Sequence, residues 1–336
     1  MEFDFTKRFG KKKLTQFAQI MKSMSAKIGF KVSARGWCYL MEQAGFINKS
    51  QFDKVESAVN RCRKSGLLPV NFVAEEDARM FLGVEKPTVG TVKDVLKSMC
   101  EDVLHGDRYF TPEWWEGEEY YIQVLVEKID LRTLFLPVCS EYHIPIANSK
   151  GWSSILQRAE YARRFKLAEQ AGLKCVLLYA GDHDPDGIRI SDRIKKNLEQ
   201  VSKVHWDDGV AGYNPSNLIV DRFGLNYDFI QKNGYTWIDN LITGSGKDLS
   251  KPSHPNHNLP YLQNYIKKIG VRKCEANAIV TTPEKARDLM RDSIEKYLGN
   301  DATARFQIKR DKVREAYVEV LEQSGLSEII DDFLDE

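Results

Sequence analysis

Apolar residues in the first part of the chain recur at the spacing of a helix. Leu14, Phe17 and Met21 lie three and four residues apart, so they share one face of a helix that we predict from Lys11 to Ile28. Similar periodicity predicts further helices before residue 105. The helices expected in this part of the chain are residues 11–28, 35–45, 49–64 and 91–104.

The pattern changes after about residue 120, where short apolar runs alternate with longer segments of helical periodicity. Such alternation is typical of a mainly parallel sheet with helices on both faces. We therefore expect an α/β, Rossmann-like domain, preceded by a helix-rich domain of winged-helix size. The expected strands are residues 121–126, 144–146 and 174–179, and the expected helices are 131–139, 154–171, 188–200, 259–269 and 282–298.

The boundary between these two parts is expected between Asp107 and Glu119, where aromatic residues, glycine and acids become dense. Glycine and proline concentrate near residues 235–260, which predicts a loop insertion at the surface. The end of the chain, from Asp331 to Glu336, is expected to be a solvated acidic tail. The predicted division is a first domain at 1–112, a second at 113–300, and C-terminal helices with the tail at 301–336.

The composition is that of an ordinary globular protein, with 336 residues, 42% of them hydrophobic and 29% charged. No apolar stretch approaches the length of about 20 residues that crosses a bilayer, so we expect a cytoplasmic protein without a membrane partner. The six cysteines are scattered without a CxxC pair, which argues against a zinc site. Because the formal net charge is only +1, nucleic-acid binding would require a local basic face.

An acidic motif follows the predicted strand at 174–179, in the sequence Gly181-Asp182-His183-Asp184-Pro185-Asp186-Gly187. In open α/β sheets, ligands bind at the carboxyl ends of strands. Asp182 and Asp184 lie two residues apart, so in an extended segment their side chains point to the same side. Glu127 ends another predicted strand. Three carboxylates at one edge predict a Mg²⁺ site, with Mn²⁺ as a substitute, and hence phosphoryl-transfer chemistry.

The motif has two other interpretations. Asp-x-Asp-x-Asp-Gly also begins a calcium-binding loop, but that loop needs a glutamate at its twelfth position, where this chain has Arg193. The calcium loop also follows a helix, whereas a strand is predicted here. Alternatively, the aspartates, Asp186 above all, could cap the N-terminus of the following helix.

The order of these motifs resembles a known family. Glu127 after a strand, then Gly151-Trp152-Ser153-Ser154, then the Gly-Asp-x-Asp-Pro-x-Gly block, is similar to the Toprim domain of topoisomerase VI A subunits and of related meiotic double-strand-break proteins. The resemblance implies a Toprim domain preceded by a winged-helix domain. It also implies that Glu127, Asp182 and Asp184 hold magnesium.

The N-terminal part extends the resemblance. Ser33-Ala34-Arg35-Gly36-Trp37-Cys38-Tyr39 is similar to the arginine-x-x-x-tyrosine stretch in which the family carries its nucleophile, and this implies that Tyr39 attacks and Arg35 contacts the phosphate. Gly36 and Cys38 depart from the residues usual in the family. Segments similar to stand-alone, prophage-type relatives are Asp77-Ala78-Arg79, Asp221 to Asn226 and Cys274 to Ala278.

The resemblance implies Mg²⁺-dependent double-strand cleavage of DNA by tyrosine transesterification, as in type IIB topoisomerases, in a cytoplasmic, nucleoid-associated protein. Tyr39 of one protomer would meet the acids of the other in a homodimer. A separate ATPase subunit would be needed for strand passage, because the sequence Gly244-Ser245-Gly246-Lys247 lacks the leading glycine of a P-loop. The basic residues expected to hold the DNA backbone are Lys49, Lys54, Arg61, Arg63 and Lys64.

Two other functions stay open. A Toprim nuclease of a mobile element or defence system would hydrolyse DNA or RNA with activated water, so cleavage would survive the substitution Tyr39→Phe. A non-catalytic DNA-binding or scaffold protein would bind without cleaving, so Asp184→Ala would leave its function intact.

Overall fold

The computed structural model of the protein describes residues 9–74, 85, 87–149, 155–205, 212–243 and 246–335. The sequence motifs at 77–79 and 151–154 lie outside these residues. No helix in the described ranges is both long and apolar enough to cross a membrane.

Contacts between residues divide the chain into two compact units. The first, which we call the sheet unit, comprises Met1–Glu75 and Glu119–Tyr297, and the second, the helical unit, comprises Glu76–Glu118 and Leu298–Glu336. The N-terminal helices thus belong to the same compact unit as the sheet. The division into a winged-helix domain at 1–112, a Toprim domain at 113–300 and a C-terminal part at 301–336 stays a prediction.

The sheet unit is mixed α/β and contains a four-stranded sheet in which every strand runs parallel to its neighbours. The order is β2-β1-β3-β4, so β1 and β3 lie at the centre and are almost wholly buried. Continuous apolar runs suit such strands because helices cover both faces. The strands are β1 (Tyr120–Val126), β2 (Ile146–Asn148), β3 (Lys174–Ala180) and β4 (Ile219–Gly224).

Helices connect the strands, as parallel pairing requires. The predicted alternation of strands and helices is confirmed, and whether the domain is a Toprim domain stays a prediction. The helices around the sheet are α5 (Ile129–Glu141), α6 (Ile155–Gln170), α7 (Pro185–Glu199), α8 (Tyr227–Asn233), α9 (Pro260–Ile269) and α10 (Pro283–Leu298).

Three helices form the N-terminal part of the sheet unit. The predicted helix from Lys11 to Ile28 is confirmed without change, and its apolar stripe, which includes Leu14, Phe17 and Met21, is buried. Described residues 9–74 contain no strand beyond a parallel bridge between Ser33 and Ala74, and a winged-helix identity stays a prediction. The helices are α1 (Lys11–Ile28), α2 (Ala34–Gln43) and α3 (Phe52–Lys64), with a short 3-10 helix at Lys49–Gln51.

The helical unit consists of α4 (Val92–Leu104), a 3-10 helix at Gly106–Tyr109, α11 (Ala302–Gln323) and α12 (Leu326–Asp335). Trp114 and Trp115 pack edge-on against Phe306 of α11. Residues 326–335 are helical and Ile330 is buried, whereas Asp331, Asp332 and Asp335 of the predicted solvated tail are exposed, as expected. The apolar positions between the tail's acids give one face of that helix a place to pack.

The segment near 235–260 is irregular, as predicted, but its position at the surface is only partly correct. Leu241 and Leu249 are buried and pack with Leu262 and Tyr265 of α9. Proline and glycine prevent a regular helix here, but leucine side chains in an irregular segment can still be buried. The segment therefore contributes a small core beside the sheet.

Candidate active site

The candidate site lies where β1 and β3 end. These strands pair along their whole length up to Val126 and Ala180, so Glu127 leaves the sheet beside Gly181 and Asp182. The Glu127 amide donates to the Ala180 carbonyl at 2.9 Å, and Glu127 Oε2 accepts the Asp182 amide at 2.9 Å. These two strands are neighbours, which is the condition for Glu127 and the aspartates to lie at one edge. Their pairing brings the glutamate against the start of the acidic loop.

The acidic loop between β3 and α7 begins a helix. Asp184 is the N-cap of α7, and its Oδ1 accepts the Gly187 amide at 2.6 Å. Position 187 must be glycine, because a Cβ there would lie 2.2 Å from the Asp182 carbonyl oxygen. The capping role therefore falls on Asp184, and Asp186 instead accepts the Tyr261 hydroxyl at 3.1 Å.

Arg222 of β4 holds the backbone of this loop. Its guanidinium donates to the carbonyl oxygens of Gly181 at 2.9 Å, Asp182 at 2.7 Å and Gly187 at 3.1 Å. Burial lowers the pKa of Arg222. A planar guanidinium carries several N–H donors in a fixed arrangement, so it can donate to three carbonyl oxygens at once, which the ammonium of a lysine could not do in the same geometry. In the sequence, Arg222 stood out only as part of the segment from Asp221 to Asn226 that is similar to prophage-type relatives, and that similarity gave it no role.

The three carboxylates share an environment that disfavours negative charge. Burial raises the pKa of Glu127 to about 7, and the nearby charge of Asp182 adds to the effect. Burial likewise raises the pKa of Asp182 and of Asp184 to about 6. Glu127 also raises the pKa of Asp184, so the three groups are within electrostatic reach of one another. A neighbouring cation would stabilise the ionised form of these carboxylates.

Lys128 supplies a positive charge to this group. Its Nζ lies 2.6 Å from Asp182 Oδ1 and 2.8 Å from Glu275 Oε2. Burial alone would lower the pKa of Lys128, but the carboxylates of Asp182 and Glu275 raise it well above its ordinary value. Lys128 is therefore a fixed ammonium shared by two acids.

Glu275 forms ion pairs with three lysines. Lys49 Nζ and Lys273 Nζ lie 2.9 Å and 3.0 Å from Glu275 Oε1, opposite the contact that Lys128 makes with Oε2. Burial opposes ionisation of Glu275, yet the ammonium groups hold its pKa well below the usual range. We call these four residues the lysine–glutamate cluster. Lys49, predicted to contact DNA, pairs inside the protein because Glu275 lies within its reach.

Tyr39 lies beside the lysine–glutamate cluster. Lys128 Nζ is 4.4 Å from the centroid of the Tyr39 ring, and Lys49 Nζ is 5.9 Å from it. Burial raises the pKa of Tyr39, and the Lys128 charge partly offsets that rise. The resemblance predicts that Tyr39 serves the acids of a partner protomer. Here it lies close to Lys128 and Asp182 of its own chain.

The N-terminus of α2 is anchored to the sheet part by Asp130. Its carboxylate accepts the Ser33 amide at 2.7 Å, the Ser33 hydroxyl at 3.2 Å and the Asn277 side chain at 3.2 Å. Gly36 permits this approach, because a Cβ there would lie 2.0 Å from Asp130 Oδ2. The close contact with Asp130 thus explains why a glycine, and not a larger residue, occupies position 36. Cys38, the other departure, is buried in the core.

Arg35 lies one helical turn from Tyr39 and is half-exposed. Its Nη1 lies 3.1 Å from Glu56 Oε1, and its guanidinium lies over the Phe52 ring at 5.0 Å. Although burial acts to lower it, hydrogen bonds with Glu56 and Tyr39 raise the pKa of Arg35. Arg35 and Tyr39 therefore lie one turn apart on α2, and the predicted contact of Arg35 with a phosphate stays a prediction.

The remaining residues predicted to contact DNA differ in exposure. Arg61 and Lys64 are exposed on α3. Lys54 Nζ lies 5.5 Å from the Phe9 ring centroid, and Arg63 donates to the Val70 carbonyl at 2.7 Å. Residues 9–74 contain twelve lysines and arginines but only three acids, although the whole chain has a net charge of +1. Positive charge is therefore concentrated in the part that carries Tyr39.

The residue types of the acidic site suit a divalent cation, but their arrangement is not a ready coordination group. Three carboxylates that raise one another's pKa are the oxygen donors that Mg²⁺ takes. Within the described ranges, however, no three His, Cys, Asp or Glu side chains are positioned to hold a metal ion. Asp182 Oδ1 accepts the Ala276 amide at 2.6 Å as well as Lys128, and Asp184 Oδ1 is used by Gly187.

The fold and site together define a mixed α/β protein with carboxylates and buried lysines at the carboxyl edge of a parallel sheet. Comparison with known protein families, curated proteins and solved structures finds no match to this chain. The likeness to topoisomerase VI A subunits is therefore a prediction from sequence motifs, and a function must be argued from the site.

Proposed function

We propose that this protein is a DNA-cleaving enzyme in which Tyr39 is the nucleophile and Glu127, Asp182 and Asp184 bind magnesium. One observation supports the proposal most strongly. Tyr39 from α2 and Asp182 from the end of β3 meet at a single side chain, Lys128, although they are far apart in sequence.

The reaction exchanges one phosphodiester bond for another. The Tyr39 hydroxyl loses its proton and its oxygen bonds to phosphorus, while the bond from phosphorus to the 3′ oxygen breaks. The released 3′ oxygen takes up a proton, which leaves a 5′-phosphotyrosyl link and a free 3′-hydroxyl. Attack in reverse reseals the strand. A covalent intermediate of this kind divides one difficult step into two easier ones.

Positive charge around Tyr39 favours both the nucleophile and the phosphate. An unperturbed tyrosine has a pKa of about 10, so attack at neutral pH needs a stabilised tyrosinate. The ammonium groups of Lys128 and Lys49 lie beside the ring and oppose the effect of burial. Arg35 is half-exposed one turn away, where a guanidinium can bind phosphate oxygens.

Magnesium would be held by Glu127, Asp182 and Asp184. When bound, the ion would neutralise charge on the phosphate and stabilise the leaving oxygen. The residues of the chain do the rest: Arg222 fixes the backbone of the acidic loop, and Asp130 fixes the start of α2.

Double-stranded DNA is the proposed substrate, and the proposed partner is a second copy of the chain. Cutting both strands requires two tyrosines, which a homodimer would provide. The excess of basic residues in 9–74 is the electrostatic feature expected of a surface that contacts phosphates. Strand passage driven by ATP would need a separate ATPase subunit.

The test uses supercoiled plasmid with Mg²⁺ or Mn²⁺, stopped with detergent and run with and without protease. We expect wild-type protein to give cut DNA whose mobility is normal only after protease treatment, because protein stays linked to the 5′ end. Both Tyr39→Phe and Asp184→Ala should lose this species. Tyr227→Phe is a control that removes a tyrosine hydroxyl outside the proposed chemistry.

A hydrolytic nuclease is the second candidate, and one observation favours it. Burial raises the pKa of Tyr39, which makes that phenol a poorer nucleophile than a free tyrosine. Metal-activated water would then attack instead. Cleavage that persists in Tyr39→Phe, is lost in Asp184→Ala and leaves no protein on the DNA would establish hydrolysis. Binding without cleavage by any variant would instead indicate a non-catalytic protein.

A further inference from the structure

The acidic site has donors that suit a divalent cation, but among the described residues they are not arranged as a coordination group. The disagreement centres on Asp182, whose Oδ1 is 2.6 Å from the Lys128 ammonium. We propose that Lys128 and the divalent cation compete for Asp182, so that Lys128 sets the metal affinity of the site. The inference rests on the proposed function, since it takes Asp182 to be a metal ligand.

The competition follows from distance and burial. Mg²⁺ binds carboxylate oxygens at about 2.0 to 2.1 Å, so an ion on Asp182 would come close to an ammonium that contacts the same carboxylate. Like charges repel strongly where water is largely excluded, and the Lys128 side chain is only 16% exposed. The ion and the ammonium therefore cannot both keep their preferred positions on Asp182.

Lys128 has other partners to keep when the ion enters. Glu275 Oε2 already lies 2.8 Å from its Nζ, and the Tyr39 ring face lies 4.4 Å from it. Glu275 is itself fixed by Lys49 and Lys273, so it stays in position to receive the ammonium. Metal entry would thus weaken the contact of Lys128 with Asp182 and leave the ammonium between Glu275 and Tyr39.

Lys49 provides a matched control within the same cluster. It also pairs with Glu275 and also lies near the Tyr39 ring, but it makes no contact with Asp182. Loss of its charge should disturb the cluster without removing the competitor of the metal ion. Lys128→Met removes the competing charge, and Lys128→Gln removes the charge while keeping a hydrogen-bond donor for Asp182.

The experiment measures Mn²⁺ binding to the full chain at pH 8 by electron paramagnetic resonance of the free ion, without DNA. Folding of each variant is checked by circular dichroism. We expect Lys128→Met and Lys128→Gln to bind Mn²⁺ about tenfold more tightly than wild type, in the range by which neighbours of metal ligands alter affinity. Lys49→Met should bind as wild type does.

Wild-type protein gives a second measurement if the Lys128 variants do not fold. Acetylation of the Lys128 amine by acetic anhydride, followed by peptide mass spectrometry, should accelerate with saturating Mn²⁺ because the amine has lost one carboxylate, whereas Lys273 should not change. Unchanged acetylation, or equal or weaker Mn²⁺ binding by folded Lys128 variants, would overturn the competition while leaving the proposed metal site intact. No Mn²⁺ binding by wild type or any folded variant would overturn both.

Discussion

The basic residues of the sheet unit fall into two groups with opposite surroundings. Those of the lysine–glutamate cluster are buried or nearly so and share one carboxylate. Those on the outer face of α3, such as Arg61 and Lys64, point into solvent. A buried charge depends on its partner, since water cannot replace that partner, whereas an exposed charge acts almost independently. The buried residues can therefore fix the geometry of a site, whereas the exposed residues can only add affinity for a polyanion.

The largest expected effect comes from removing the shared carboxylate. Glu275→Gln leaves three lysines without their common counter-ion, so the free energy of unfolding should fall by about 3 to 5 kcal/mol. The matched control is Glu284→Gln, whose side chain is 80% exposed and pairs with Arg287, and it should change stability by at most about 0.5 kcal/mol. Urea denaturation measures both. Similar losses in the two variants would remove the distinction between the groups.

A smaller effect is expected from disturbing the way α2 meets the sheet part. Gly36→Ala would put a Cβ 2.0 Å from Asp130 Oδ2, so α2 must shift or the anchor must break. Overpacking of this kind costs about 1 to 3 kcal/mol. Gly10→Ala is the control, because nothing lies within 4 Å of a Cβ there. Thermal unfolding should separate the two variants, and a Gly36→Ala protein as stable as wild type would contradict the tight contact.

The smallest effect concerns the exposed charges. Arg61→Ala and Lys64→Ala should each leave stability within about 0.5 kcal/mol and each reduce the salt dependence of DNA binding by about one unit of slope. Lys285→Ala, an exposed lysine of α10 outside the basic part, is the control and should leave the slope unchanged. Fluorescence anisotropy across a range of salt concentrations gives the slopes. An unchanged slope in all three variants would mean that α3 does not contact the phosphates.

Most of the helices and strands could be predicted because their signals are local, although β4 and α8 were not among the expected elements. The apolar run before Asp182 and the periodicity from Lys11 to Ile28 each identify an element without reference to the rest of the chain. The approach of Glu127 to the acidic loop was also predictable, since parallel strands end at a common edge. The exposure of Asp331 and Asp332 was predictable from their charge, whereas the helix on which they lie follows from the apolar positions between the acids.

The lysine–glutamate cluster could not be predicted in this way. Lys128 follows directly after Glu127 and could have been noticed as a charge at a strand end, but its second partner lies 147 residues further on. Lys49 was assigned to DNA as one of several basic residues of the N-terminal part. Its pairing with Glu275 depends on how a distant loop folds back, and no local pattern encodes that.

The pairing of Lys49 with Glu275 also has a consequence for how the protein is made. The two residues are 226 positions apart, and ribosomes add about 5 to 20 residues per second, so the second partner follows the first by about 10 to 45 s. During that interval the nascent chain already carries Tyr39 and then the acids, but not the carboxylate that neutralises its lysines. The complete constellation therefore cannot form until Glu275 has been synthesised, so a partial chain that stops before Glu275 does not carry a finished site.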